Sequence, residues 1–253
     1  MIPNGFSAWL SGCLLLSLRI APSFAWSPPF ALIPAPLLIR LLLGLGLATA
    51  IASGLPAQAL SFPISPVALI PAAARELLLG GLFVLIFQLA FGALYLAGRT
   101  IDIQAGFGLA VLIDPTTRTQ TPLIGTLFAY AAAAIFFAMD GHLELMRMIV
   151  ASLEMVPIGG WSPTNPAERL AGFFTVVSLL AFGFAGAAIL ALLLVDMAIA
   201  LLARTVPQMN VLMFGLQVKT LALLIFLPIV FGASGALLVQ LMARTLEAVP
   251  RLL

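Results

Sequence analysis

The chain has 253 residues, of which 63% are hydrophobic and only 8% charged, whereas roughly 25% of the residues of a soluble domain carry charge. This composition excludes a soluble globular protein and indicates a membrane protein. A formal net charge of +2 is too small to indicate a nucleic-acid partner, and the lone Cys13 excludes an intrachain disulfide framework.

The N-terminal third is apolar but rich in proline. Phe6–Leu18 is predicted to begin a retained membrane segment, since residues 1–18 contain none of the Lys or Arg of a secretory signal. Leu37–Leu55 is predicted to be a helix between two groups of prolines, because proline removes a backbone donor and breaks helix interiors. We therefore expect helices that meet at proline-rich corners, at Pro22, Pro28, Pro29, Pro34 and Pro36 before this helix and at Pro56, Pro63, Pro66 and Pro71 after it.

The later apolar segments are long enough to cross a membrane, which takes about 20 residues in a helix. The clearest are Leu77–Gly98, Leu170–Val195 and Thr220–Ala243. Leu123–Met139 is shorter, and its helical pattern continues towards Val156. The chain is thus predicted to be an all-α membrane protein, a bundle of long apolar helices with a proline-broken N-terminal part and a C-terminal helical hairpin.

Polar linkers separate these segments, at Arg99–Pro122, Pro157–Arg169 and Asp196–Lys219. Residues 102–122 of the first linker combine two spaced glycines, a threonine-rich turn and Asp114-Pro115. Irregular backbone of this kind cannot face lipid, because its N–H and C=O groups would find no partner there. It must lie in water, against protein or along a cavity, so a gate and a static loop are the alternatives.

Few ionisable residues are candidates for proton transfer or catalysis. Asp196 ends an apolar segment and is a candidate proton-relay group, since intramembrane carboxylates are functional candidates by default. Arg204 lies about two turns further along the same helical face, so a structural ion pair between them is the competing interpretation. Asp140 and His142 lack a clear nucleophile nearby, and His142 equally fits a residue that fixes a turn. With one histidine and one cysteine, we expect no metal site, no cofactor and no enzymatic activity.

The other charges are expected to have structural roles. Arg75-Glu76 and Arg99/Asp102 are neighbouring opposite charges that are predicted to pair locally at helix ends, the second pair at i, i+3. Two isolated arginines of the N-terminal third are costly facing lipid, so we expect them to snorkel or to face protein, namely Arg19 and Arg40.

Three blocks of sequence carry a family resemblance. The first is Arg19-Ile-Ala-Pro22 with Pro28-Pro29-Phe30, Pro34 and Arg40. The second runs from Gly106-Phe-Gly-Leu-Ala110 through Asp114-Pro115 and Pro122 to Asp140-Gly141-His142 and Val156-Pro-Ile-Gly159. The third is Pro207-Gln-Met-Asn-Val211 with Gly215 and Lys219. In order and spacing, over nearly the whole chain, these blocks resemble the FliR/SctT family, the export-gate membrane subunits of flagellar and related type III secretion systems.

The resemblance implies a function and partners. It implies a core subunit of the export gate that lets unfolded flagellar or other type III substrate proteins cross the bacterial inner membrane, at the flagellar basal body. It implies a complex with FliP-like and FliQ-like membrane subunits, contact with lipid, and contact with a FlhB-like export switch protein. Residues 1–165 would be FliP-like, and 166–253 a FliQ-like hairpin. The rival function is a small-molecule transporter or an intramembrane enzyme that uses Asp196, Asp140 and His142.

The resemblance also implies roles for two groups of residues. The loop 106–122 would be a pore plug, formed by Gly106, Phe107, Gly108, Leu109, Ala110, Val111, Leu112, Ile113, Asp114 and Pro115. The third block would be a subunit contact, made by Pro207, Gln208, Met209, Asn210, Val211, Gly215 and Lys219. The chain departs from the family pattern at Gln217, where a proline is usual, and at Asp140, where an asparagine is frequent.

Overall fold

The computed structural model of the chain describes residues 4–54, 65–107, 121–162, 166–206, 208 and 210–252. In these residues all regular secondary structure is helical, which confirms the predicted all-α class. The eight helices of the described ranges are, in chain order, α1 (Asn4–Trp26), α2 (Pro28–Ala31), α3 (Leu37–Gly54), α4 (Pro66–Gln104), α5 (Leu123–Ala138), α6 (Gly141–Met155), α7 (Pro166–Thr205) and α8 (Val211–Leu252).

Most of these helices match membrane spans in length and composition. Among the described residues, α1, α3, α4, α7 and α8 are each long and apolar enough to cross a membrane. The α5–α6 pair would add a sixth span, but the two helices are bent by 69° at the break between them. The long apolar helices that the sequence predicts are therefore present, and the chain is membrane-embedded.

The corner between α1 and α3 is rich in proline, as predicted. Arg40 lies on α3 and donates to the carbonyl of Ala25 at the end of α1 (3.1 Å) and to that of Ala35 in the corner (2.7 and 3.1 Å). It thus faces protein and satisfies carbonyl groups that a helix end leaves without partners. α1 and α3 pack closely enough that a Cβ atom added to Gly44 would lie 2.6 Å from the Cα atom of Ala21.

Two predicted proline breaks are wrong. Pro22 lies inside α1 and Pro71 lies inside α4. Each is about one turn from an end of its helix, so the lost i→i−4 hydrogen bond and the ring clash affect a terminal turn and do not divide a long helix.

The helical pattern that was predicted to continue from Leu123 towards Val156 is interrupted. Asp140 adopts a left-handed conformation with φ of 55°, which a right-handed helix cannot accommodate. Its carbonyl oxygen then accepts hydrogen bonds from the N–H groups of Leu143 (2.9 Å) and Glu144 (3.1 Å), which starts α6 in a new direction. The Asp140-Gly141 step is therefore a helix break, and the two helices on either side of it are bent by 69°.

The C-terminal hairpin is present, but its turn is shorter than predicted. α7 ends at Thr205 and α8 begins at Val211, so Asp196 and Lys219 lie inside helices and not in a linker. The first polar linker is also shorter than expected, because α4 continues to Gln104. α7 begins at Pro166, and the division of the chain into FliP-like and FliQ-like parts stays a prediction.

The described residues belong to two compact units, each with its own aromatic core. The first unit contains residues 1–89, 136–173 and 244–253, and in it Phe136 contacts Phe30 and Phe87 edge-on, with ring centroids 6.0 and 5.5 Å apart. The second contains residues 90–135 and 174–243. Its core is a triangle of rings with centroids 4.8 to 5.9 Å apart, formed by Phe128, Phe184 and Phe231.

Candidate functional site

The predicted plug loop leaves from α4 and returns at α5, and these two helix ends are in direct contact. A Cβ atom added to Gly98 would overlap the Cα atom of Gly125, and one added to Gly125 would lie 2.9 Å from the carbonyl oxygen of Tyr95. The Tyr95 hydroxyl is also hydrogen-bonded to the Thr126 hydroxyl (3.1 Å). We call this crossing of residues 95–102 with residues 122–126 the stem.

Asp102 closes the stem at the end nearer the loop. Its side chain is 6% exposed, and its Oδ1 and Oδ2 atoms accept from the backbone N–H of Ile124 at 3.1 and 3.2 Å. Ile124 is in the first turn of α5, where N–H groups have no partner within the helix and the helix dipole favours a negative charge. Asp102 was predicted to pair with Arg99, so this cap on a second helix corrects that prediction.

The first residues of the plug loop are described, and they turn sharply after α4. Gly106 has a φ of 89°, in a region that side chains rarely adopt. Its N–H donates to Ile103 (3.1 Å), and the N–H of Phe107 donates to the carbonyl of Asp102 (3.0 Å). The other predicted plug residues lie outside the described residues, namely Gly108, Leu109, Ala110, Val111, Leu112, Ile113, Asp114 and Pro115.

The start of α8 contacts the base of the loop. A Cβ atom added to Gly106 would meet a terminal methyl group of the Leu216 side chain, which lies directly against this turn. Leu216 follows Gly215, whose Cα atom faces the Ile199 side chain of α7 across the hairpin. The structure thus brings the first residue of the predicted plug next to the segment that carries the third sequence block.

The residues of the third block have several different environments. Asn210 precedes α8, and its Oδ1 atom accepts from the N–H of Met213 (3.3 Å), as an N-cap residue does. Lys219 forms an ion pair with Asp196 across the hairpin, and both side chains are partly exposed. Gln208 is exposed in the turn. Pro207 and Met209 lie outside the described residues, and of Val211 only the backbone is described.

The partner of Asp196 corrects the sequence prediction. Arg204 was the expected partner, but about two helical turns separate the two residues by roughly 12 Å along the axis. Lys219, on the neighbouring helix, forms the ion pair with Asp196 instead. The ion pair of Asp196 with Lys219 therefore joins the two helices of the hairpin.

A buried charged network in the first unit was largely missed. Arg19 and Glu76 are both fully buried and form a two-pronged ion pair, from Nε to Oε2 (2.6 Å) and from Nη2 to Oε1 (2.9 Å). Arg19 also donates to the Ser152 hydroxyl (3.2 Å) and the Val156 carbonyl (3.1 Å). The N–H of Gly159 donates to Glu76 Oε1 (2.8 Å). The signals in the sequence were the isolated charge of Arg19 and the adjacent charges of Arg75 and Glu76 in apolar surroundings.

The network joins α1, α4, α6 and the segment that follows α6. Arg75, next to Glu76, donates to the carbonyl of Gly159 (2.8 Å). Arg75 and Glu76 together therefore bind the carbonyl and the N–H of the same residue. Gly159 has a φ of 75°, a conformation that lets its N–H reach Glu76 and its carbonyl reach Arg75. The predicted pairing of Arg75 with Glu76 is therefore wrong, and each residue has its own partner.

The residues of the rival function have other contacts. The His142 ring lies against the Phe137 ring, with centroids 5.7 Å apart, and Asp140 shapes the break before α6. The Asp196 carboxylate forms an ion pair with Lys219. This geometry favours structural roles for all three residues over proton transfer or catalysis.

Comparison with known proteins identifies relatives of the chain. The family model described as bacterial export proteins, family 1, matches residues 10–245. The flagellar biosynthetic protein FliR of Bacillus subtilis (strain 168) is 33% identical over 184 residues, which are 71% of each chain. The protein of the same name from Aquifex aeolicus (strain VF5) is 31% identical over 229 residues, 86% of each chain. The Yop proteins translocation protein T of Yersinia pestis is 28% identical over 149 residues, 58% of this chain and 57% of its own.

The match includes the stem, the hairpin and the buried network, so it covers every part of the candidate site that the structure describes. It confirms the resemblance to FliR and SctT proteins that the three sequence blocks carry. The chain belongs to family 1 of the bacterial export proteins.

Proposed function

We propose that the chain is a core subunit of the gate through which a bacterial flagellar export system passes unfolded proteins across the inner membrane, at the flagellar basal body. The observation that carries the proposal is the family match over residues 10–245. The flagellar relatives align over 71% and 86% of the chain, against 58% for the Yersinia pestis protein, which favours a flagellum over an injection system.

The subunit works within a complex that includes FliP-like and FliQ-like membrane subunits and touches a FlhB-like switch protein. The exposed apolar surface of α7 supports this. Exposed large apolar side chains run from Phe174 to Leu202, about 42 Å along a helix axis. The hydrocarbon core of a bilayer is about 30 Å thick. Where the helix stands upright, this surface is longer than the hydrocarbon core, which leaves part of it for contact with other subunits.

The loop 106–122 acts as a plug that keeps the export pore closed at rest. The geometry of the residues at the base of the loop supports this role. The stem holds the departure and return points of the loop together, and Gly106 supplies a sharp turn against Leu216. A loop fixed at both ends can fill a pore without loosening the helices that carry it.

The subunit performs no catalysis, and other components of the apparatus supply the energy for export. The partially exposed carboxylate inside the hairpin, Asp196, forms an ion pair with Lys219. Asp140 and His142 belong to a helix break that packs on Phe137. These contacts give no support to the transporter or enzyme alternative.

Removal of the loop tests the plug. Because the stem brings the two loop ends together, a short Gly-Ser linker can replace residues 106–121 without separating α4 from α5. We expect cells with this variant to take up a membrane-impermeant dye much faster than wild-type cells. FliP-like and FliQ-like subunits should still co-purify with the tagged chain. A tight membrane around a fully assembled variant complex would contradict the plug.

A further inference from the structure

Three arginines lie at the start of α7 and the end of α8. Arg169 is in the first turn of α7, and Arg251 is in the last turn of α8, with Arg244 two turns before it. Arg169 donates to the backbone carbonyl of Arg251 (3.1 Å), which joins the two helix ends directly. All three residues belong to the first compact unit. Together with Glu247 of α8, we call them the arginine cluster.

The end of α8 holds its part of the cluster in a fixed direction. Arg244, Glu247 and Arg251 are spaced at i, i+3 and i+7, so they share one face of the helix, and all three are exposed. The residues between them are buried, namely Thr245, Leu246, Ala248 and Val249. A helix that buries one face cannot rotate to cover the other, so the charged face stays turned outward.

Most of the hydrogen-bonding capacity of these arginines is unused. A guanidinium has five N–H donors. Arg244 and Arg251 both donate to Oε2 of Glu247 (3.2 and 3.3 Å), and their side chains are 44% and 70% exposed. The acidic residue next to Arg169 is Glu168, so three positive charges stand against two negative ones. The cluster therefore has a net positive charge and free donors.

The cluster marks the border of the apolar part of both helices. The chain has no charged residue between Arg169 and Asp196 on α7, or between Lys219 and Arg244 on α8. These stretches are about 39 and 36 Å long as helices, enough to cross a hydrocarbon core of about 30 Å. Arg169 and Arg244 are the first charges beyond them at this end, which is the level of the lipid headgroups. The planar guanidinium matches the oxygens of a phosphate group.

We propose that the arginine cluster binds the phosphate of an anionic phospholipid headgroup. A net negative lipid fits better than a zwitterionic one, because the ammonium group of the latter would lie among the arginines. The bound headgroup contacts both helix ends and so holds the start of α7 and the end of α8 at the membrane surface. The inference depends on the membrane embedding of the chain and not on the proposed plug.

Native mass spectrometry of the tagged chain, with the subunits that co-purify with it, tests the inference. In micelles with equal amounts of phosphatidylglycerol and phosphatidylcholine, the wild type should retain phosphatidylglycerol in preference. Arg169→Gln and Arg244→Gln should each lower its apparent affinity about 5-fold, as expected for one basic side chain at an anionic surface, and the double variant about 25-fold. Arg244→Lys keeps the charge but loses the planar fork, so its affinity should lie between those of wild type and Arg244→Gln.

A change at Glu247 should have the opposite effect. Glu247→Gln removes the carboxylate that competes for Arg244 and Arg251, so the retention of phosphatidylglycerol should rise. If the arginines only hold the ends of α7 and α8 together, no such gain is expected. Unchanged or lower retention in a folded Glu247→Gln variant would therefore overturn the inference.

The control is Arg147→Gln. The Arg147 side chain is 75% exposed and pairs with its own carboxylate, Glu144, at 3.1 Å, so this variant removes the same charge outside the cluster. Its lipid retention should equal that of wild type. A loss as large as that of Arg244→Gln would show that retention follows net charge alone, which contradicts a site.

Two further outcomes would assign the cluster to another ligand. Displacement of phosphatidylglycerol by inorganic phosphate at comparable concentration would show that the site takes a free anion and that the lipid assignment is wrong. Loss of a co-purifying subunit from the arginine variants, with lipid retention unchanged, would make the cluster a protein contact and would equally refute the inference.

Discussion

At the scale of single residues, the most consequential contact is the ion pair of Arg19 with Glu76. Both groups are fully buried, and every other bond that the structure gives them joins a different segment of the first unit. A buried pair of this kind adds little net stability over apolar packing, but removal of one partner leaves an uncompensated charge. The role of this ion pair is therefore to determine which segments of the first unit pack together.

This argument predicts an unequal response to single and double substitutions. Arg19→Leu or Glu76→Leu alone should each lower the stability of the assembled complex by about 3–5 kcal/mol. The double variant should lose less than the sum, because neither charge is left alone. Thermal unfolding of the purified complex measures both effects.

The matched control for the buried pair is Arg147→Leu. Arg147 pairs with Glu144 on the surface of α6 at 3.1 Å, and its side chain is 75% exposed. An exposed pair of this kind contributes about 0–1 kcal/mol. If Arg19→Leu were no more harmful than Arg147→Leu, the buried network would not have the role described.

The sequence identified the charged residues of the candidate site but not their partners, for geometric reasons. Arg75 and Glu76 are adjacent in sequence, yet residues i and i+1 of a helix do not face each other, so each finds a partner elsewhere. Asp102 could reach Arg99, three residues earlier on the same helix, but an exposed pair is worth less than the cap of a buried helix end. Neither competing partner is near in sequence, so no local pattern reveals it.

At the scale of helices, the crossing of α4 and α5 depends on backbone contact at Gly98 and Gly125. Close approach of this kind is typical of membrane helices, which pack through small residues where the hydrophobic effect does not hold them together. Any side chain at position 98 would meet the backbone of the partner helix. The stem therefore tolerates no larger residue at its centre.

The prediction for the stem is a contrast between two glycines of α4. Gly98→Ala should destabilise the assembled complex by about 1–3 kcal/mol, the usual cost of overpacking, and should increase dye leakage. Gly92→Ala should be neutral or stabilising by up to about 1 kcal/mol, because nothing lies within 4 Å of the added Cβ atom and alanine favours helix. Thermal unfolding compares the two, and equal effects would contradict the crossing.

Helix ends were predictable where a local residue decides them. The proline-rich corner before α3 and the turn after Thr205 follow from local chemistry. The break at Asp140 was missed, because an apolar pattern on both sides looks continuous and only the left-handed backbone of Asp140 ends it. Asp196 and Lys219 were placed in a linker on account of their charge, although their mutual pairing lets both remain in helices.

At the scale of the whole molecule, the exposed surface of the described residues is rich in large apolar side chains. Large apolar side chains are exposed on α3, α7 and α8, among them Leu38, Leu194 and Leu224. Contiguous exposed apolar surface marks contact with lipid or with other proteins. On α7 it extends over about 42 Å of helix, from Phe174 to Leu202.

The corresponding prediction concerns the isolated chain. Extracted in detergent without the proposed FliP-like and FliQ-like partners, the chain should aggregate if part of its apolar surface is buried by them in the complex. Co-expressed with them, it should elute as one species of defined mass. Size-exclusion chromatography with light scattering distinguishes these states, and a monodisperse chain on its own would contradict the need for partners.

The buried ion pair also constrains how the chain enters the membrane. Glu76 follows Arg19 by 57 residues, and Ser152 follows it by 133. At the usual speed of translation, the carboxylate emerges about 3–11 s after the guanidinium that it neutralises. A lone arginine is costly in hydrocarbon, so α1 cannot settle there during that interval. α1 is therefore a helix whose insertion must wait for helices made later in the chain.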